Sequence, residues 1–276
     1  MIPIHEKLGR ICGFTARKLA STPEWGEKKA PKYINSPETP IFQKSQILFN
    51  LHLANKAIKD QNDFILVEGQ LDAIRCYIEG FETVIAPQGT AFTESQADLL
   101  KKSNPRNVIC LLDGDEAGRR AGLKYVPIFI GIGLSARFAT IPVGSDPDQI
   151  LLNEGKTRLN EILDESISMI EYVFIYLHLG EDISIPNISK NICDFIFTSL
   201  NKVDSLVIKE GYLKELATLL GVSNQAVKQD FLKFEKQIKK IKSKKIINKY
   251  ITMRNNTFSY LIQNEKEITL KLSRSR

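Results

Sequence analysis

Between Phe64 and Pro142, short uninterrupted apolar runs alternate with stretches of helical spacing. FILVEG and VICLLD are continuous apolar strands, and TVIAP and ARFATIP are shorter ones. Helical patterns lie between them, around Leu71–Glu79, Thr93–Lys102 and Glu116–Phe129. A strand apolar on both faces must be covered on both faces. The alternation therefore predicts an α/β fold, a parallel sheet flanked by helices and joined by right-handed crossovers.

Three of these strands run into acids: Glu68 in ILVEGQLD, Asp113 and Asp115 in ICLLDGDEAG, and Asp146 and Asp148 in GSDPDQIL. Residues at the carboxyl ends of neighbouring parallel strands converge on one crevice. Two unit charges about 4 Å apart repel by roughly 4 kcal/mol at an effective dielectric near 20. Five carboxylates in one volume need a partner. Asp72, about one helical turn beyond Glu68, is placed to face the same crevice. Each feature has a plainer reading as well. One acid of the DGD group and one of the DPD group could cap the helices that follow, and Glu68 and Asp72 could simply be solvated acids at a helix N-terminus. The coincidence of three clusters at three strand ends favours metal. The donors are all carboxylate oxygens, with no histidine and no CxxC pair among them to favour zinc, so magnesium or manganese is the expected ion.

With 38 Lys and Arg against 32 Asp and Glu, the chain carries a formal charge of +6, which makes anionic partners plausible. Cys12, Cys76, Cys110 and Cys193 form no CxxC pair, so no zinc site is expected. The start lacks the cationic and apolar regions of a signal peptide. No apolar run approaches the roughly 18 residues of a membrane span, so a cytoplasmic location with no membrane partner is expected. There is no P-loop, and His5, His52 and His178 stand isolated in the sequence.

Upstream, two alternating runs flank Lys7-Leu8-Gly9-Arg10 and predict a β-hairpin. Thr22 to Pro40 reads as an irregular polar loop, containing Trp25, and Gln43 to Lys59 has helical spacing. Beyond Gly155 the strand signals stop. Leu159–Leu179 reads as one long or broken helix, with further helices near Ile188–Lys202 and Tyr212–Leu220. LKELATLLGVSNQAVKQDF suggests two helices joined at Gly221-Val222-Ser223, an ordinary helical hairpin more than a DNA-binding unit.

EGQLD, AxQGT, LLDGDEAGRRA and DPDQIL, taken together, resemble the Toprim domain of bacterial DnaG-type DNA primases. IPIHEKLGRICGFTAR and PKYINSPETPIFQKSQILFNL are similar to the primase catalytic core just before Toprim, and the PKYINSPET and IFQKS segments single out primase among Toprim proteins. The resemblance covers roughly residues 1–155. Beyond it the sequence pattern gives 156–232 as an all-helical subdomain and 233–276 as a lysine-rich tail or helix, while the resemblance itself gives 1–60 as the end of an N-terminal α+β subdomain with a basic groove and 61–155 as Toprim. It also implies that the family's zinc-binding domain and a basic subdomain lie outside this chain.

By the same resemblance, Glu68, Asp113 and Asp115 are the catalytic metal-binding set, with Asp72, Asp146 and Asp148 completing the acidic cluster. Arg17, Lys32, Tyr33 and Asn35 match positions that handle nucleotide or template, and Arg119 and Arg120 are weaker cationic candidates. The implied activity is magnesium- or manganese-dependent synthesis of RNA primers on single-stranded DNA from ribonucleoside triphosphates during replication. A replicative helicase is a possible partner. Two other readings stay open: a non-catalytic nucleic-acid or replisome-binding module that kept the Toprim fold, and a Toprim nuclease.

Overall fold

The computed structural model describes residues 1–19, 21, 31, 33–58, 63–89, 91–178 and 185–241. The chain divides into two compact units, one ending at Val222 and the other beginning at Ser223.

In the first unit, β1 (Ile2–His5) and β2 (Ile11–Arg17) form the expected antiparallel hairpin, and β3 (Tyr33–Asn35) adds to its other side. The polar loop expected over Thr22 to Pro40 therefore contains a strand. Its residues are exposed or half-buried, so no apolar alternation marks them. Phe42 and Ile47 pack with Ile4 beneath this small sheet.

The segment from Gln43 to Lys59 is only partly helical. Leu48–Phe49 is a short strand, β4, and the helix α1 spans Leu51–Ala57. The break falls at Asn50, which adopts a left-handed conformation (φ 64°) and donates from Nδ2 to the Val84 carbonyl at 2.8 Å. A buried side-chain hydrogen bond thus overrides helical spacing at this point.

The main sheet contains β5 (Phe64–Leu66), β6 (Val84–Pro87), β7 (Val108–Leu111), β8 (Ala136–Ala139) and β9 (Ile167–Ser168) in the order β4-β6-β5-β7-β8-β9. The four inner strands are parallel, as their continuous apolar character predicts. The two edges, β4 and β9, run antiparallel. One face packs Ile65, Ile109 and Leu111 against α2 (Gln70–Ile78), α5 (Pro147–Asn153) and α6 (Gly155–Asp164). The helix layer on the other side includes α3 (Glu94–Lys101), α4 (Glu116–Ile132), α7 (Met169–Tyr176) and α8 (Pro186–Leu200).

Strand signals do not end at Gly155, because β9 interrupts the expected helix over Leu159–Leu179. Arg137 on β8 donates from Nε to Ser166 Oγ at 2.9 Å and from its guanidinium to the Ser166 carbonyl. That anchor turns the chain back onto the sheet edge, and Ser168 then caps α7 by accepting from the Glu171 amide. The first unit closes with α9 (Leu206–Leu220), capped by left-handed Gly221. In the second unit residues 224–241 are helical, and the rest of the lysine-rich tail lies outside the described residues. His5 and His52, isolated in sequence, meet with ring centroids 4.4 Å apart.

Candidate active site

Each strand-end acid owes its position to a local backbone solution. The chain leaves β5 at Glu68 and enters α2, whose first turn carries Asp72. It leaves β7 at Asp113 and enters α4, where Asp115 accepts the Gly118 amide at 2.8 Å as N-cap. After β8, Asp146 accepts the Gln149 amide at 2.7 Å and caps α5. The DGD and DPD groups thus divide in the same way, with one acid capping a helix.

The uncapped acids meet different fates. Asp148 is held by Arg75 of α2, whose Nε lies 2.6 Å from Oδ1. Arg75 is a functional neighbour that sequence reasoning missed; its only signal is its place three residues past Asp72, on the same helix face. Among the described residues Asp113 has no such partner, and its Oδ1 is buried without a hydrogen bond. Its backbone amide instead donates to Glu68 Oε1 at 3.0 Å, joining the ends of β7 and β5.

The six acids form one electrostatic cluster. Burial, then the charges of Asp113, Asp115 and Asp72, pushes the Glu68 carboxyl up to about 7. Burial, then Asp113, Asp146 and Asp148, pushes Asp72 up to about 6. Asp113 is raised by burial and by Asp146 and Asp115. Carboxylates this averse to ionisation, in a cleft, mark a site suited to bound positive charge.

Among the described residues no three His, Cys, Asp or Glu side chains already stand in the arrangement of a metal site. The donor chemistry nevertheless fits a hard divalent cation. Every donor is a carboxylate oxygen, their charges repel one another, and Asp113 offers a buried oxygen with nothing to bind.

Backbone approach is unusually close here. A Cβ on Gly118 would collide with the Asp113 carbonyl and come within 2.8 Å of Glu68 Oε1. One on Gly114 would strike the Pro142 carbonyl. The two glycines of DGDEAG let α4 and the loop after β8 close on the acids.

Above Glu68 lies a cleft of about 450 Å³, bounded by Gly89 after β6 and by α4. Asn35 of β3 reaches its rim, with Nδ2 3.0 Å from the point a Cβ on Gly89 would occupy and with Oδ1 buried and unpaired. The structure thus brings Asn35 beside the cleft that Glu68 lines. Arg17 and Tyr33 pair across β2 and β3, the guanidinium 6.0 Å from the ring centroid, and neither lines that cleft. Lys32 lies outside the described residues. Arg119 faces a separate cavity of about 240 Å³ with Asp113, Phe138, Tyr172 and Tyr176, whereas Arg120 lines the cleft above Glu68.

Comparison with known proteins agrees with this architecture. The family described as DNA primase catalytic core, N-terminal domain, matches residues 1–55, and the Toprim-like family matches residues 65–151. The chain belongs to the DnaG-type primase family. The DNA primase of Aquifex aeolicus is 39% identical over 62% of the chain, and that of Chlamydia pneumoniae 33% identical over 82%. The chain spans only 33% and 38% of the lengths of these two relatives. A crystal structure of the zinc-binding and RNA polymerase domains of the Aquifex aeolicus primase matches with TM-score 0.68 and 32% identity, covering 82% of this chain and 52% of that one. A DnaG primase catalytic domain bound to ssDNA matches with TM-score 0.70 and 29% identity, over 81% of this chain and 69% of that one.

Among the described residues, no helix of this DnaG-family chain is long and apolar enough to cross a membrane.

Proposed function

We propose that the chain is the catalytic part of a DNA primase, a nucleotidyltransferase that joins ribonucleotides on a single-stranded DNA template. The observation carrying this reading is the Glu68–Asp72–Asp113 cluster of raised carboxyls, of which Glu68 lines a cleft bordered by Asn35. Glu68, Asp113 and Asp115 would hold magnesium or manganese, with Asp72, Asp146 and Asp148 in support. When bound, the metal supplies positive charge to the phosphates and to the leaving pyrophosphate.

The protein's own groups supply position. Glu68 accepts the Asp113 amide and so fixes the spacing of two strand ends. Gly114 and Gly118 keep the acid loops packed, which limits the reorganisation needed when charge develops. Asn35 offers an unpaired amide oxygen at the rim, suited to a hydroxyl or amino donor on nucleotide or template. Arg17, Tyr33 and Lys32 belong to the nucleic-acid wall in this reading, with a replicative helicase as the partner of the larger assembly.

Replacing Asp113 with Asn and measuring template-directed ribonucleotide incorporation tests the assignment. Undiminished incorporation would overturn it. A second reading, a binding module without catalysis, draws on the structural work that three acids already do: Asp115 and Asp146 cap helices and Asp148 pairs with Arg75. Metal-dependent stabilisation with no incorporation would select that reading.

A further inference from the structure

We infer that Arg120 and Lys124 form a phosphate-binding wall of the cleft above Glu68, holding the oxygens of a phosphodiester or polyphosphate anion. The inference rests on reading the acid cluster as a phosphoryl-transfer site and adds cations to it that lie outside the N-terminal sheet.

The two residues are one turn apart on α4 and line the cleft together with Glu68 and Gly89. The rotation of α4 is fixed from two sides. Gly118 is pressed against the Asp113 carbonyl and Glu68, and Gly122 against the ring of Tyr172. The Tyr172 hydroxyl then donates to the Arg119 carbonyl at 3.2 Å. With this orientation, Ala117, Arg120, Ala121 and Lys124 form one contiguous stripe along the cleft. The two alanines leave the floor between the cationic heads open.

The cations are also available. Lys124 is exposed and has no ion-pair partner among the described residues. Arg120 lies 3.6 Å from Glu116, with side chains 65% and 74% exposed, a contact that solvent largely screens. A phosphate entering beside Glu68 meets like charge on one wall, and Arg120 and Lys124 on α4 offset that repulsion. Arg119, the neighbouring residue, is excluded from this role because its guanidinium turns to the Gly114 carbonyl on the other side of the helix.

The test uses the whole chain, with fluorescence-labelled oligothymidylate and labelled ATP as separate probes, titrated in EDTA and again in magnesium. Arg120→Ala with Lys124→Ala should weaken at least one probe about tenfold without moving the melting temperature. For the strand, the slope of log affinity against log salt should fall by about 0.7 per cation removed, and Lys124→Arg should restore binding. A loss confined to oligothymidylate assigns the wall to the strand; one confined to ATP assigns it to the nucleotide. Unchanged binding of both probes, or no binding by the unsubstituted chain, overturns the inference. The Asp113→Asn variant separates the two claims. If it loses its magnesium response while the double variant binds normally, the wall fails and the metal reading stands. If it keeps full incorporation while the double variant loses the anion, the wall stands and the catalytic reading fails.

Discussion

The backbone amide of Asp113 donates to the carboxylate of Glu68 at 3.0 Å, so an acid raised to about 7 also staples two parallel strands. The two roles can be separated by substitution. Glu68→Gln keeps an oxygen to accept the amide and removes the charge. It should raise the metal-free melting temperature at pH 8 while abolishing magnesium-induced stabilisation. Glu68→Ala leaves the amide without its acceptor and should cost about 1–3 kcal/mol. Thermal melts of both variants with and without magnesium check this; equal behaviour of the two would refute the dual role.

The raised carboxyls predict an unusual pH dependence. Glu68 and Asp72 bind protons more tightly folded than unfolded, so their contribution to stability is fully present below about pH 4. It is lost as pH rises through about 6 and 7. In EDTA the melting temperature should therefore fall over this window as these two groups ionise. Magnesium should restore more stability at pH 8 than at pH 5, since it competes with protons for the same oxygens. Calorimetry across pH 4–8 measures both, and a metal effect independent of pH would contradict the prediction.

Gly118→Ala should be among the most damaging small substitutions in the chain. The new methyl collides with the Asp113 carbonyl and stands 2.8 Å from Glu68 Oε1. Overpacking of this kind typically costs about 1–3 kcal/mol. The expected result is a lower denaturation midpoint and a weaker magnesium response. Gly211→Ala is the control, because a Cβ there meets nothing within 4 Å and its φ is not positive.

Arg75 competes with any cation for Asp148. The pair is more than a third exposed and solvent screens it, so Arg75→Ala should leave the melting temperature nearly unchanged. It should tighten magnesium binding if Asp148 is a ligand and leave it unchanged if Asp148 serves only Arg75. Isothermal titration of the variant distinguishes these outcomes.

The sequence made the inner sheet and its acids legible because both are local. Phe64–Leu66 and Val108–Leu111 are continuous apolar runs, and the acid groups follow each strand directly. What stayed hidden depends on distant partners. Nothing near Ser166 announces that Arg137 will hold its carbonyl, and the apolar stripe runs on across Ile167 as if one helix continued. Asn50 holds the start of α1 back to Leu51 through a carbonyl 34 residues away. Arg75 was illegible for the same reason, since its acid lies 73 residues on. The two-residue strands β4 and β9 are too short for any period to register.

Those two short strands have a consequence for assembly. Both rims of the six-stranded sheet are blunted by antiparallel stubs of two residues, Leu48–Phe49 and Ile167–Ser168. A stub that short presents almost no backbone ladder for an incoming chain to copy. Extended peptides therefore gain little by lying alongside this sheet, and a protein that docks on it does so through side chains on its helices and loops.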